Sequence, residues 1–295
     1  MVATIVTNAN RAGLQPKHIE QVNYSLSNAG GTITGSKWLR PNIAFEVYFE
    51  GLDAIAADHA LAGLGEEYDI AVQPAENRLK KLLLADMDST MITLETLDTL
   101  AEELGFGAEV RKITDRSMCG ELDFATSLRT RVALLKGKPA SALNLVLEQI
   151  DYMPGAETTV KTLVAHGCYT ALVSGGFTFT TEIVYKKLGF DEHHANDLLI
   201  EQGKLTGFAG EPILGPHAKL ENLNRLCNEK GIKLNEACTI GDGANDIPML
   251  EAAGLGVAYY GKPIVRAKAG FKIDHSDLTT LLYYQGISFD DFTQI

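Results

Sequence analysis

Asp86 and Asp88 stand two residues apart in Asp86-Met87-Asp88-Ser89-Thr90, directly after the apolar run Leu82-Leu83-Leu84-Ala85. Two carboxylates at the end of a buried strand are costly unless they meet a cation. Strand geometry turns both to similar sides as the chain leaves the sheet, where a hard, oxygen-binding cation such as Mg²⁺ would neutralise them. One carboxylate could then attack an electrophile while the other manages protons. The competing reading is an Asx turn in which Asp88 and Ser89 cap the next helix.

Three companions bear on that choice. Gly241-Asp242-Gly243-Ala244-Asn245-Asp246 follows a second short apolar strand, Ala237-Cys238-Thr239-Ile240. Its glycines permit a tight turn, and a second acid-rich loop at a strand's carboxyl end suits a shared metal site. Ser174-Gly175-Gly176 follows the strand-like Tyr169–Val173. A hydroxyl and glycine N–H groups there can cradle an anion, although an ordinary glycine-rich turn reads the same way. Lys219, in Gly215-Pro216-His217-Ala218-Lys219-Leu220, would be solvated surface on its own. It gains interest because four acids need a nearby positive charge besides the metal.

In this order, the four elements resemble the haloacid dehalogenase-like (HAD) phosphatase superfamily: Asp86 and Asp88 match its first motif, Ser174 its second, Lys219 its third, and Asp242 with Asp246 its fourth. Asp86 through Thr90 and on to Glu95, Met118-Cys119-Gly120-Glu121-Leu122-Asp123-Phe124, Ser127 through Val132, Gly241 through Asp246, and Ala258 through Pro263 with Lys262-Pro263 resemble the phosphoserine phosphatase family within it. The resemblance spans roughly residues 80 to 285, and its combined motifs are specific where each alone is not.

That resemblance implies a Mg²⁺ ion on Asp86, Asp242 and the backbone carbonyl of Asp88, with Asp246 fixing metal-bound water. It implies Asp86 as the nucleophile that forms an aspartyl-phosphate, and Asp88 as the acid that protonates the serine oxygen and later deprotonates water. Ser174, Gly175, Lys219 and Asn245 would hold the phosphoryl oxygens. The substrate, O-phospho-L-serine, also carries a carboxylate and an ammonium. Arg131 is the candidate for the carboxylate, with Arg129 competing. At 100° per residue Arg131 lies about 20° from Phe124 around the helix and Arg129 about 140° away, and the family pattern also selects Arg131. Glu95 would take the ammonium, while Phe124 and Met118 would close over the site or simply be core of the insertion. A phosphotransferase passing the phosphoryl group to another hydroxyl compound such as homoserine, and a non-catalytic amino-acid sensor, are the alternative readings. The retained Asp86, Asp88, Lys219 and Asp242 weigh against the sensor.

Composition bounds these readings. With 295 residues the chain can hold one large domain or two, and 45% hydrophobic residues supply a sizeable core. A net charge of -12 argues against non-specific nucleic-acid binding, which needs a basic surface. No apolar run approaches the ~18 residues of a membrane span, and no basic segment followed by an apolar stretch marks a signal peptide. Cys119, Cys168, Cys227 and Cys238 form no close pair and no zinc spacing, as expected of reduced thiols in a cytoplasmic protein. His193-His194 is read as ordinary surface or core histidines, since adjacent side chains point different ways.

Two units are expected, 1–78 and 79–295. Strand, turn and helix alternate after residue 154 and imply an α/β, doubly wound parallel-sheet HAD-like core. Leu94, Leu97, Leu100-Ala101 and Leu104 mark a helix ending at Gly105. Asp123 is a plausible N-cap for a helix carrying Phe124, Leu128, Val132 and Leu135 on one stripe. Both belong to a small helical cap, about 93–153, inserted after the first strand. Leu198 through Gly207 reads as a hairpin about Gln202-Gly203. The first unit reads βαββαβ, an α+β ferredoxin-like order: strands at Ala3–Thr7, Thr32–Thr34, Ala44–Phe49 and Tyr68–Val72, helices at Pro16–Ser27 and Ala54–Leu64. By topology it resembles ACT-like regulatory modules, which implies a homodimer and a serine effector. It holds no convergent set of acids, histidines or cysteines, so it is expected to do no chemistry.

Overall fold

Residues 1–73 bury one face of a sheet under two helices. In the computed structural model, which describes residues 1–11, 13–118 and 121–295 and gives only the main chain at 115, 117 and 118, they form β1 (Val2–Val6), α1 (Pro16–Asn28), β2 (Thr32–Arg40), β3 (Ala44–Glu50), α2 (Ala54–Leu61) and β4 (Asp69–Gln73). The sheet order is β2-β3-β1-β4, with β1 antiparallel to both β3 and β4. Ala3, Ile5, Phe45, Val47 and Phe49 pack against Val22 and Leu26 of α1 and Ala57 and Leu61 of α2. Asp53 caps α2 by accepting from Ala56 N at 2.8 Å, worth about 1 kcal/mol. β2 runs six residues beyond the expected Thr32–Thr34. It is an edge strand with most side chains in water, so it needs no apolar alternation.

β5 (Leu82–Ala85) is apolar throughout because both its faces are covered. Leu82 and Leu84 enter one hydrophobic cluster, Leu83 and Ala85 the other, as strand alternation requires. The chain then builds a cap from α3 (Thr96–Glu103), α4 (Gly107–Met118), α5 (Phe124–Ala133) and the short α6 (Leu143–Leu147). Asp123 caps α5 through Thr126 N at 2.9 Å. α4 is absent from the expectations above. Leu97, Leu100, Leu128, Val132, Leu135 and Val146 form a separate cap core. The two connections to the cap run side by side, Thr93 N donating to Asp151 O (2.9 Å) and Met153 N to Met91 O (3.0 Å).

After the cap come α7 (Ala156–Ala165), β6 (Tyr169–Phe177), α8 (Thr178–Leu188), β7 (Glu192–Asn196), the hairpin β8 (Leu198–Glu201) and β9 (Lys204–Ala209), α9 (Ala218–Lys230), β10 (Ala237–Gly241), α10 (Ile247–Ala252), β11 (Leu255–Tyr259), α11 (Pro263–Arg266), β12 (Phe271–Ile273) and α12 (Thr280–Tyr284). The large sheet has order β12-β11-β10-β5-β6-β7 and every pair is parallel. Successive strands leave β5 on one side through β6 and β7, then return on the other through β10, β11 and β12. The chain therefore reverses its direction of winding between β5 and β10, and the crevice beyond their carboxyl ends is where an open α/β sheet binds ligands.

The small sheet is tied to the large one through buried polar groups. Asp69, almost fully buried, accepts from the main-chain N–H groups of Asp274 (2.7 Å), His275 (3.1 Å) and Ser276 (2.8 Å). Gln73 Nε2 donates to Tyr284 O at 2.6 Å. Arg78 donates to Glu46, which is wholly buried and also meets Tyr48 and Lys37. Among the described residues, no helix is long and apolar enough to cross a membrane.

Candidate active site

Two strand ends bring the acids together. Asp86 follows β5 and Asp242 follows β10, its hydrogen-bonded neighbour. Asp246 lies one short helical turn beyond Asp242. Asp86, Asp242 and Asp246 are all buried and offer carboxylate oxygens within 4.8 Å of one another. Lys219, at the second position of α9 and 3% exposed, donates to Asp246 and lies 2.6 Å from Asp86 Oδ1. A lysine that reads as solvated surface from its neighbours in sequence is thus buried by distant acids. Burial works against its ammonium, but Asp246 and Asp86 outweigh that and hold it protonated.

One buried lysine cannot balance three buried acids. Lys262 adds a second cation 3.7 Å from Asp242 Oδ2, but it is half exposed. The excess shows in the carboxyls themselves. Burial, then the neighbouring Asp86, push Asp246 up to about 7, against the pull of Lys219. Burial and Asp86 also raise Asp242. Three oxygen donors with this uncompensated charge fit a hard divalent cation.

Asp88 sits at the mouth of the cluster, partly buried. Its Oδ1 accepts from Thr96 Oγ1 at 2.7 Å and faces Thr96 N at 3.4 Å. Burial raises its pKa well above the usual carboxylate range, with the charges of Glu95 and Asp86 adding to the shift. A carboxyl whose protonated form is favoured in this way suits a group that must give a proton and take one back. Ser174-Gly175-Gly176 lies inside β6 rather than in a turn after a strand ending at Val173. The pairing with β7 shifts register between Val173 and Phe177, so the segment departs from the regular ladder. Gly176 N donates to Ser174 Oγ at 2.9 Å. A Cβ on Gly175 would come 3.1 Å from the Phe124 ring, and one on Gly176 would come 2.9 Å from Asp88 Oδ2, so the glycines let the cap and the acid approach the strand.

Above these groups is a cavity of about 680 Å³. Its lining includes Asp86, Asp88, Ser174, Gly175, Asp242 and Asn245 from the sheet side, and Glu95, Phe124 and Arg131 from the cap. Lys219 lies behind the acids and outside that lining. Arg131 Nε is buried with no protein partner among the described residues. Burial weighs against its charge, while Asp98 and Glu95 support it. Arg129 points elsewhere, in an exposed pair with Glu211 at 2.8 Å. Glu95 reaches solvent through the cavity yet is ringed by protein atoms. That surrounding raises its pKa, Ser89 Oγ opposes the shift from 2.8 Å, and Asp242 and Asp86 reinforce it. Met118 ends α4, and its side chain lies outside the described residues, as does Cys119.

The haloacid dehalogenase-like hydrolase family model matches residues 83–251. The chain belongs to the haloacid dehalogenase-like hydrolases. It is 43% identical over 205 residues to the phosphoserine phosphatase of Methanocaldococcus jannaschii, covering 70% of this chain and 97% of that one. Among solved structures, a HAD-family hydrolase from Salmonella enterica subsp. enterica serovar Typhi superposes with a TM-score of 0.84 at 28% identity, covering 96% of this chain and 97% of that one. A phospho-aspartyl intermediate analogue of phosphoserine phosphatase superposes with a TM-score of 0.65 at 43% identity, covering 70% and 98%.

Within this HAD site, sequence reasoning missed three polar side chains. Thr96 holds Asp88. Asp98 lines the cavity beside Arg131. Asn196, 2% exposed at the end of β7, donates to Gly175 O at 3.0 Å and accepts from Leu214 N at 2.7 Å, tying the Ser174 segment to the loop before Lys219. None has a local pattern to flag it, since each gains its meaning from a partner that only the fold brings beside it. His193 and His194 serve the sheet: His193 Nδ1 meets Thr181 Oγ1 at 2.9 Å, and His194 Nε2 meets Glu192 at 3.0 Å. Cys168, Cys227 and Cys238 are buried free thiols, and burial pushes Cys168 up to about 12.

Proposed function

We infer that this protein is a phosphoserine phosphatase working through an aspartyl-phosphate on Asp86. The observation that carries the reading is a single cavity holding Asp86 and Asp88 at its floor and, on the cap, an arginine whose buried Nε has no protein partner among the described residues. The similarity to phosphoserine phosphatases over the same residues supports it. Asp86, Asp242 and the backbone carbonyl of Asp88 would hold Mg²⁺, with Asp246 behind them. Bound there, the ion supplies the positive charge that lets a carboxylate approach a phosphate.

Asp86 attacks phosphorus as the bond to the serine oxygen breaks. Asp88, whose surroundings favour its protonated form, gives its proton to that oxygen. After serine leaves, Asp88 takes a proton from the water that attacks the aspartyl-phosphate. Lys219 fixes Asp86, while Ser174, Gly175 and Asn245, which line the cavity, hold the equatorial oxygens where charge gathers. Arg131 pairs with the substrate carboxylate, Glu95 receives the ammonium, and Phe124 lies over Gly175 to exclude water.

Among the described residues, the N-terminal unit, 1–78, contributes none to the cavity lining. We assign it a regulatory or dimer-forming role, with serine as the candidate effector, in a cytoplasmic enzyme. The experiment for the whole reading is phosphate release from a panel of phosphorylated metabolites, with Mg²⁺ and after chelation. Phosphoserine should be preferred, and activity should vanish with chelator and return with Mg²⁺. Equal turnover of phosphate esters lacking an amino-acid moiety would overturn the assignment.

A further inference from the structure

Asp88 has two carboxylate oxygens, and only one can face the leaving group. Its Oδ1 is occupied: Thr96 Oγ1 donates to it at 2.7 Å, and Thr96 N stands 3.4 Å away. Its Oδ2 is the oxygen nearest the space over Gly176, beside Ser174 Oγ. Thr96 is fully buried, opens α3, and directly follows Glu95. One residue of the cap therefore clamps the acid of the sheet, next to the residue that faces the cavity.

We propose that Thr96 is a positioning residue for proton transfer: its hydroxyl ties down Asp88 Oδ1 so that the proton rides on Oδ2, toward the leaving oxygen. This inference rests on the phosphatase reading above. In the first half-reaction the P–O(serine) bond breaks as the Asp86–phosphorus bond forms. The bonding pair goes to the serine oxygen, which takes the Oδ2 proton. In the second, a water oxygen bonds to phosphorus, the Asp86–phosphorus bond breaks, and Oδ2 takes a proton from that water. A rotated Asp88 would keep its charge and burial yet present the wrong oxygen. A threonine is suited to the task, because its branched Cβ restricts χ1 and its methyl fills a buried site.

The test compares Thr96→Val, which keeps the shape and loses the hydroxyl, with Thr96→Ser, which keeps the hydroxyl. Two substrates are used: phosphoserine, whose alkoxide must be protonated, and p-nitrophenyl phosphate, whose phenolate leaves without help. General acid catalysis is worth about 10²–10⁴-fold. Thr96→Val should therefore lose at least about tenfold more kcat/KM on phosphoserine than on the aryl ester, with the loss in kcat and not KM. The aryl ester should also show a burst of nitrophenol, since water attack on the intermediate still needs Asp88. Thr96→Ser should restore the phosphoserine rate. Equal losses on both substrates, a loss confined to KM, or no rescue by serine would overturn the proposal. Should the valine variant fail to fold, Thr96→Ala carries the same comparison, with aryl-ester turnover reporting the folded site. Should wild-type enzyme prefer another alkyl phosphate, the phosphoserine reading fails while the Thr96 comparison is read on that ester.

Discussion

Two buried charge clusters in this molecule have opposite balance. In the N-terminal sheet, one wholly buried acid, Glu46, meets Arg78, Lys37 and the hydroxyl of Tyr48. At the ends of β5 and β10, three buried acids share one buried lysine. The first cluster is complete within the chain. The second is complete only with something from outside. Burying charge costs free energy in either place, so a satisfied pair reads as structure and an unsatisfied excess reads as a site.

That contrast can be broken most severely at Asp86. Asp86→Asn removes the nucleophile, and turnover should fall by at least about 10⁴-fold, as losses of covalent nucleophiles do. Stability should hold or rise, since the variant relieves crowding among the acids. Steady-state rates and thermal unfolding on the same preparation check both halves. Asp88→Asn should follow, with about a 10²–10⁴-fold loss on phosphoserine and a smaller loss in kcat/KM on aryl phosphates.

Arg131→Ala moves the comparison to the cap. Losing a charge-assisted pair costs about 2–3 kcal/mol, or roughly 30–150-fold in KM for phosphoserine. An aryl phosphate without a carboxylate should be nearly indifferent. The same KM rise on both would give Arg131 a structural or phosphate role.

Arg78→Met probes the balanced cluster and should leave kcat unaltered. It should lower the unfolding free energy by about 3 kcal/mol, because the buried Glu46 carboxylate keeps only the half-exposed Lys37 and the Tyr48 hydroxyl as partners. The pH dependence follows with a definite sign. Burial opposes the charge of Glu46, but Arg78, Tyr48 and Lys37 outweigh it and hold the pKa below the usual 4.5. Its stabilisation is thus present above 4.5 and is lost as the pH falls through the lower folded value. In Arg78→Met that acid-labile component should shrink or reverse, as read from unfolding midpoints between about pH 3 and 6.

The sheet was legible where apolar runs ended abruptly in acids, as at Ala85-Asp86 and Ile240-Gly241-Asp242. Such a pattern is local, and burial on both faces leaves little else for the sequence to encode. α4 is not legible, because Gly107–Met118 is mostly polar and Val110 is its one buried apolar side chain among the described residues. β2 reads shorter in sequence than it is, because an exposed edge strand carries no alternation. The charge state and burial of Lys219 depend on Asp86 and Asp246, far away in sequence. Thr96 and Asn196 carry no motif of their own and are recognisable only once Asp88 and Gly175 are beside them.

The central claim is that Asp86 carries the phosphoryl group during turnover. Enzyme mixed with phosphoserine and Mg²⁺ can be quenched in acid within the first turnovers and reduced with borohydride, which converts an aspartyl-phosphate to homoserine. Peptide mass spectrometry should then find homoserine at position 86 and at no other aspartate, and none without substrate. Homoserine at Asp88 or Asp242, or an unmodified Asp86 under conditions where phosphate is being released and an intermediate accumulates, would contradict the account.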